Sequence, residues 1–381
     1  MTPRKRHRVL LMISSLRGGG SERQVLMLLR TLDRERFEPL LYLTERAGEF
    51  LSDVPADVPI LSHQDCPHAS GIYVPGRALR RQCDFLGALL GQHGIDMIYD
   101  RTFHMTMIAG PAAATRAIPR VSTIVSPPHL ALPLVERRFV WLKRRRLAKA
   151  YRNADRVIAV SDQAAQSASE YYRLARSSIT VVPNPVDLRS LQRNARPLRR
   201  DDYVRLVCVG RMTREKGHAD LIAAVGESRK KGGARFTLDL IGDGPLRTEL
   251  QMQVDSLDLG DTVRFLGHLP DASREIAESD ALVLPSHFEG MPNVVLEAMA
   301  IGTPVIATRA GGTVELQRDE PTVFWAEPRD VHSLCQALQR FLAEPETATR
   351  HVAAAQRMVA EHHDLQKTTR ELESVFEQVI G

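Results

Sequence analysis

The sequence predicts an α/β protein of two domains, each built on a parallel sheet with helices on both faces. Short apolar runs alternate with amphipathic stretches along nearly the whole chain, which is the pattern of βαβ units. The length of 381 residues is too great for one small domain and suits two of roughly 100–200 residues each. We therefore expect two doubly wound, Rossmann-like domains facing a cleft, with ligands beyond the carboxyl ends of the strands.

The predicted elements follow the apolar periodicity of each half. Strands in the first half are predicted at 8–14, 38–43, 96–99, 120–125, 156–160 and 179–182. Helices between them include 21–33, 77–92 and 134–152. Strands in the second half are predicted at 204–209, 236–241, 262–266, 281–285 and 304–308. A polar, strand-poor stretch at 188–203 divides the halves and is the predicted linker. The predicted N-terminal domain is 1–187, the C-terminal domain is 204–359, and a terminal segment follows at 360–381.

The composition is typical of a globular protein, with 43% hydrophobic and 25% charged residues. No run of about 18 apolar residues is present, so no membrane-spanning helix is expected. The four cysteines are scattered, which argues against a disulfide framework or a zinc site and fits a reducing cytoplasm.

Two glutamates, Glu289 and Glu297, have seven residues between them, and these include a turn and a predicted helix start. Pro292 suits the first turn of that helix, where its missing N–H costs nothing. The free N–H groups and the helix dipole would attract an anion. A diphosphate there would place Glu289 beside sugar hydroxyls and Glu297 near a ribose, and the turn would supply the remaining contacts from Gly290, Met291, Pro292, Asn293 and Val294. The alternative is a capped amphipathic helix with two solvated acids.

The residues after this pair carry a family resemblance. Ala-Met follows Glu297, then Gly-Thr-Pro-Val at 302–305 and Gly-Gly-Thr-Val-Glu at 311–315. In this order the motifs resemble the retaining glycosyltransferases of family 4, in the glycosyl transferases group 1, which have the GT-B fold. The resemblance implies acceptor binding in the N-terminal domain and donor binding in the C-terminal domain. It also implies that the terminal helix, near 360–381, packs back on the first domain.

The resemblance extends to the donor side of the molecule. The strand at 204–209 is followed by a loop in which family members use an Arg and a Lys to hold the donor diphosphate, and these are Arg211 and Lys216 here. Fixed cations would stabilise the charge that develops on the departing diphosphate. A basic surface loop is the alternative. Leu266 is a candidate contact for the base by the same resemblance.

The chain contains no Asp-x-Asp pair, which metal-dependent enzymes of this kind commonly need. We therefore expect metal-independent catalysis and no cofactor other than the donor itself.

Acceptor-side residues are expected after the first-half strands. Gly19 and Gly20 match a family glycine pair, and glycines let a backbone approach a ligand closely. Many family members place a histidine directly after the strand at 120–125, but this chain has none there. His129 and His104 are the candidate substitutes, and capping or loop packing is the competing role for both.

A basic segment at 136–156 carries nine Arg or Lys side chains against two acids, with aromatic residues between them. Such a helix suits the surface of an anionic membrane. A solvated helix face is the alternative, and no motif supports nucleic acid.

Together these features predict a retaining glycosyltransferase of the hexosyltransferase type, peripheral at the inner face of the cell membrane. It would move a sugar from a nucleotide-diphosphate sugar to a lipid-linked or saccharide acceptor, in cell-surface polysaccharide or glycolipid synthesis. A UDP-sugar epimerase of the same fold and a non-catalytic nucleotide-sugar-binding protein are the rival hypotheses.

Overall fold

The computed structural model describes residues 6–66, 76–136, 138–191, 203–230 and 235–381. The chain divides into two compact units: Met1–Asn184 together with Leu365–Gly381, and Pro185–Asp364. Most of the predicted linker at 188–203 lies outside the described residues, because 192–202 are not described.

Within the described residues, each unit contains one parallel sheet. The strands of the first unit are β1 (His7–Ile13), β2 (Phe37–Leu43), β3 (Ile60–Ser62), β4 (Met97–Arg101), β5 (Arg120–Ile124), β6 (Arg156–Ala159) and β7 (Ile179–Val181). Those of the second are β8 (Tyr203–Val209), β9 (Arg235–Ile241), β10 (Val263–Gly267), β11 (Ala281–Leu284), β12 (Val305–Thr308) and β13 (Phe324–Ala326). The orders are β3-β2-β1-β4-β5-β6-β7 and β10-β9-β8-β11-β12-β13. In each sheet the chain first adds strands on one side of its first strand, β1 or β8, and then adds the remaining strands on the other side. This reversal of strand order is the doubly wound pattern.

Helices connect the strands. They are α1 (Gly20–Thr31), α2 (Arg77–Gln92), α3 (Phe103–Ala114), α4 (Pro128–Val135), α5 (Val140–Arg152), α6 (Asp162–Tyr172), α7 (His218–Lys230), α8 (Arg247–Ser256), α9 (Ser273–Ala277), α10 (Asn293–Ile301), α11 (Val331–Ala343), α12 (Pro345–His362) and α13 (Leu365–Ile380). Over the described parts of the chain, none of them combines the length and apolarity needed to cross a bilayer.

The first sheet is buried on both faces, as its apolar strands predict. In β1, Val9, Leu11 and Ile13 face one apolar core, whereas Leu10 and Met12 face another. This alternation follows from the two-residue period of a strand, and it places helices over each face.

Helix α13 packs on the first unit. The Phe376 ring meets Phe37 edge-on at a centroid distance of 6.1 Å and lies 5.5 Å from the Tyr99 ring. Its neighbour Glu373 is buried and pairs with Arg36, at 3.1 Å. The last helix is thus part of the core of the unit that contains the beginning of the chain.

The predicted parallel sheets are confirmed, and all eleven predicted strands overlap strands of the structure. The three-residue strands β3 and β13 were not predicted, because each is a very short strand at the edge of its sheet. The single helix predicted at 134–152 is confirmed over 140–152, which form α5, but it does not run continuously from 134. Helix α4 ends at Val135, and Phe139 has a left-handed backbone (φ 55°) that prevents continuation into α5.

Candidate active site

The carboxylate of Glu289 lies in the loop between β11 and α10 and is buried. Its Oε1 accepts hydrogen bonds from Lys216 Nζ at 2.7 Å and from Ser286 Oγ at 2.7 Å. A buried carboxylate needs such donors, since an unpaired charge in this place would be costly. The structure therefore brings together two residues that the sequence had assigned to neighbouring parts of one ligand.

Lys216 ends a short turn after β8 and keeps about a quarter of its side chain exposed (28%). Burial alone would lower the pKa of this lysine. The charge of Glu289 and its hydrogen bond outweigh that effect and raise the pKa above the ordinary value. Lys216 is consequently protonated at neutral pH.

The two loops that carry this pair are locked together. The backbone N–H of His287 donates to the carbonyl of Glu215 at 2.7 Å. Gly217 adopts φ +66°, and a Cβ there would collide with the carbonyl oxygen of Pro285. Only glycine fits, because the left-handed region and the close approach both exclude a side chain.

A third loop, after β12, supports the backbone of Glu289. The N–H of Gly312 donates to the Glu289 carbonyl at 3.2 Å, and Thr308 Oγ1 donates to the carbonyl of Ser286 at 2.5 Å. Gly311 has φ +59°, and an added Cβ would strike the Glu289 carbonyl oxygen. Glu289 is therefore held at the carboxyl ends of three adjacent strands, β8, β11 and β12.

Substituting Gly311 with alanine is expected to lower turnover by about 10²-fold, because the added Cβ must displace the Glu289 backbone. The left-handed backbone adds roughly 1–2 kcal/mol of strain. Steady-state kinetics and the melting temperature measure the two effects. Gly260→Ala is the matched control, since nothing lies within 4 Å of its added Cβ. Equal activity in both variants would contradict the supporting role of Gly311.

Two buried groups near Lys216 were not anticipated from the sequence. Burial, with help from the Lys216 charge, lowers the pKa of His218 to about 4. Burial raises the pKa of the Cys208 thiol to about 12, although Lys216 opposes this. His218 is thus a neutral imidazole, and neither ring nitrogen has a hydrogen-bond partner within the described residues. The only available signal was its position directly after Lys216 and Gly217.

The predicted anion-binding helix begins at Asn293. Pro292 is its N-cap (φ −78°, ψ 106°), one residue earlier than the first-turn position expected, and no side chain caps the helix there. Gly290 and Met291 are buried before it, whereas Val294 and Glu297 are half-buried. Glu297 is the fifth residue of α10, about one turn from its start.

The other two donor-side residues are more exposed. Arg211 follows β8 and is exposed, and its guanidinium makes no hydrogen bond or ion pair with the described residues. Leu266 lies on the edge strand β10, two strands from β8, with 38% exposure. The adjoining loops are joined where Met212 N–H donates to the Asp243 carbonyl at 2.9 Å.

The acceptor-side candidates follow three neighbouring strands of the first sheet. Gly19 and Gly20 begin α1 after β1. His104 is the second residue of α3 after β4, and burial lowers its pKa. His129 is the second residue of α4 after β5, and its Nδ1 lies 2.6 Å from Ser167 Oγ on α6. The four residues thus lie beyond the carboxyl ends of these strands, and the His129 ring is hydrogen-bonded to Ser167 of α6.

Thr102 is a further residue at this edge that the sequence did not indicate. It precedes α3 with φ 84°, a strained conformation for a β-branched residue. Its hydroxyl is buried without a partner among the described residues. Such strain concentrates at functional sites, so Thr102 joins His104 as an acceptor-side candidate.

Family models match both units of the chain. The model of glycosyl transferases group 1 matches residues 192–358, and that of glycosyltransferase family 4 matches residues 18–190. The chain belongs to this glycosyltransferase family. The family resemblance inferred from the glutamate, glycine and lysine motifs is therefore confirmed.

The curated relatives align with only part of this chain. The glycogen synthase of Mycobacterium tuberculosis is 32% identical over 228 residues, covering 59% of this chain and 54% of that protein. The lipopolysaccharide core biosynthesis glycosyltransferase LpsD of Rhizobium meliloti is 35% identical over 140 residues, covering 37% and 39%. The chain thus spans about half or less of the curated relatives it matches.

Solved structures align with nearly the whole of this chain. Anabaena HepE, in complex with UDP and glucose, gives a TM-score of 0.79 at 21% identity, covering 97% of this chain and 99% of that one. Sucrose-phosphate synthase from Thermosynechococcus elongatus gives 0.81 at 20% identity, covering 98% and 99%. At this identity the likeness is one of fold, and the predicted GT-B fold is confirmed.

Proposed function

We propose that this protein is a retaining, metal-independent hexosyltransferase that moves a sugar from a nucleotide-diphosphate sugar to a lipid-linked or saccharide acceptor. The observation that carries the proposal is the 2.7 Å contact between Lys216 and Glu289. In such a donor the anomeric carbon is bonded directly to a phosphate oxygen. A cation for the phosphate and a carboxylate for the sugar hydroxyls must therefore lie side by side, as these two residues do.

We assign three positive groups of the second unit to stabilise the negative charge of the departing diphosphate. Lys216 is fixed by Glu289, so it loses little conformational freedom when the phosphate arrives. Arg211 is exposed on the same loop, and α10 begins after β11, the strand adjacent to β8. Positive groups held in place before the reaction stabilise developing negative charge, which supports catalysis without a metal or other cofactor.

The reaction we assign here retains the configuration of the anomeric carbon. Glu289 is paired with Lys216 and hydrogen-bonded to Ser286, so it is better suited to orient a sugar hydroxyl than to act as a nucleophile. The acceptor hydroxyl attacks from the face that the diphosphate leaves. Its oxygen bonds to the anomeric carbon, the bond from that carbon to the phosphate oxygen breaks, and the phosphate oxygen takes the hydroxyl proton. Glu297 is assigned to the ribose.

Several relatives support a place in cell-surface polysaccharide or glycolipid synthesis. One is named for lipopolysaccharide core biosynthesis in Rhizobium meliloti and another for amylovoran biosynthesis in Erwinia amylovora. The HepE structure contains UDP and glucose, which favours a nucleotide-sugar donor for this chain as well.

We assign a peripheral position at the cytoplasmic face of the membrane to this enzyme. Exposed apolar side chains cluster where α4 passes into α5, with Val135 at 67%, Phe139 at 66% and Trp141 at 62% exposure. The same part of the chain, residues 138–156, is rich in arginine and lysine, and Lys143 pairs with Glu136. An apolar patch bordered by basic residues suits the interface of an anionic bilayer.

The proposal is tested by a panel of nucleotide sugars in a thermal-shift assay with EDTA, on wild type and Glu297→Ala. One donor is expected to raise the wild-type melting temperature, because it binds only the folded chain. The shift should be smaller in Glu297→Ala, which loses the ribose contact. Absence of any shift across the panel would contradict the donor site.

Product analysis with the stabilising donor then separates the rival functions. A new glycosidic bond of retained configuration is the expected result. Conversion of the donor to an epimer without an acceptor would identify an epimerase, whereas tight binding with neither transfer nor hydrolysis would identify a binding protein.

A further inference from the structure

A groove on the first unit is lined by none of the acceptor-side candidates. Helix α3 forms its floor, and α2 and α5 form its walls. Its volume of about 1030 Å³ is that of a large ligand pocket. We call this feature the α2–α5 groove.

The walls of the α2–α5 groove concentrate positive charge. Four of its cations, Arg80, Arg81, Arg146 and Lys149, form no ion pair or side-chain hydrogen bond within the described residues. Arg77 and one carboxylate, Asp84, also line it. Cations that converge without internal partners are stabilised by an external anion, and arginines are well suited to bind phosphate.

The floor of the groove is apolar and closely packed. A Cβ on Gly110 would lie 2.9 Å from that of Ala150, so glycine lets α3 and α5 approach each other. Pro111 has no N–H, which leaves the Met107 carbonyl without its usual helical partner, and Cys83 Sγ lies 3.9 Å from that oxygen. Ala114 is exposed at the end of the floor. A ligand here therefore meets phosphate-binding cations above an apolar surface.

We propose that the α2–α5 groove binds the phosphate head group of an anionic lipid, with the proximal part of its chains over the apolar floor. Arg146 follows Trp141 by five residues, about 7.5 Å along α5, so the groove and the exposed apolar patch belong to different faces of that helix. The apolar floor favours an amphiphile over a free phosphate. The inference rests on the proposed membrane contact and adds to it the selection of a lipid head group by residues of α2 and α3.

The test compares binding of the whole protein to vesicles that contain phosphatidic acid or phosphatidylglycerol, at matched surface potential. The groove is expected to favour phosphatidic acid, whose exposed phosphate monoester carries the larger charge. Replacing Arg80 and Arg81 by glutamine is expected to lower the binding constant for phosphatidic acid about fivefold per cation and to remove the preference. The control is Arg145→Gln with Arg152→Gln, which removes two exposed cations of α5 outside the groove and should preserve the preference.

A second variant fills the groove without changing charge. Ala114→Trp should remove the preference, whereas Ala353→Trp, at an exposed position of α12 in the second unit, should not. Equal binding of both lipids by wild type, or a preference that survives Ala114→Trp, would overturn the proposal. Tight binding of glycerol 3-phosphate that Ala114→Trp abolishes would overturn it in favour of a soluble phosphate.

The vesicle assay also distinguishes this site from the functions proposed above. Loss of binding in Trp141→Ser, with no head-group preference in wild type, would retain the membrane contact and reject the groove. Absence of binding to any vesicle would reject both, and would leave the proposed sugar transfer to be judged by the donor assay.

Discussion

Replacing Lys216 with methionine is expected to lower kcat/KM for the donor by about 10²–10³-fold. Methionine keeps much of the length of the lysine side chain and removes the cation beside the departing diphosphate, an effect comparable to deleting an oxyanion-stabilising donor. Initial rates at several donor concentrations measure it. Because Lys216 meets the phosphate most strongly as the bond breaks, most of the loss should fall on kcat rather than on KM.

The Lys216 variant also changes stability, and this must be separated from its effect on chemistry. Removing the ammonium leaves the Glu289 charge buried with Ser286 as its remaining side-chain donor, which lowers the free energy of unfolding. The double variant Lys216→Met with Glu289→Gln removes both charges, so its melting temperature should recover while turnover stays low. Lys230→Met, at an exposed end of α7, is the control for loss of one lysine. Recovery of turnover in the double variant would show that Lys216 acts only through folding.

The sequence predicted where these residues lie more reliably than how they contact one another. Lys216 and Glu289 both follow apolar strands, so a parallel sheet places them at one edge. That β8 and β11 are adjacent does not follow from chain order, since β9 and β10 come between them in sequence. The 2.7 Å ion pair across 73 residues therefore required the sheet order.

The features missed by the sequence have local physical causes. Ser286 is a single polar residue in a loop and His218 is the first residue of α7, and no periodic pattern marks the burial of either. The left-handed backbone of Phe139 interrupts the helix predicted at 134–152. The sequence does not reveal this break, because the periodicity of apolar and basic residues continues across it. The α2–α5 groove depends on how three helices pack together, and the three arginines of α2 that line it carry no motif.

Replacing Glu289 with glutamine is expected to lower kcat by about 10–100-fold, the loss of one charged hydrogen bond to the sugar in the transition state. Glutamine keeps the shape and one acceptor oxygen, so the three supporting loops should stay in place. Donor binding through the diphosphate and ribose should persist, which leaves KM little changed. Glu249→Gln, at an exposed position of α8, is the control for loss of one carboxylate.

The same variant should alter the dependence of turnover on pH. In the wild type, Glu289 raises the pKa of Lys216 above its ordinary value of 10.5 against the effect of burial. The stabilisation from this pair is therefore fully present below 10.5 and is lost as pH rises through the raised value. In Glu289→Gln the effect of burial is opposed less, so the pKa of Lys216 falls and the alkaline loss of turnover begins at lower pH. An unchanged alkaline limb, measured where both proteins remain folded, would mean that Lys216 does not act as the protonated partner of Glu289 in catalysis.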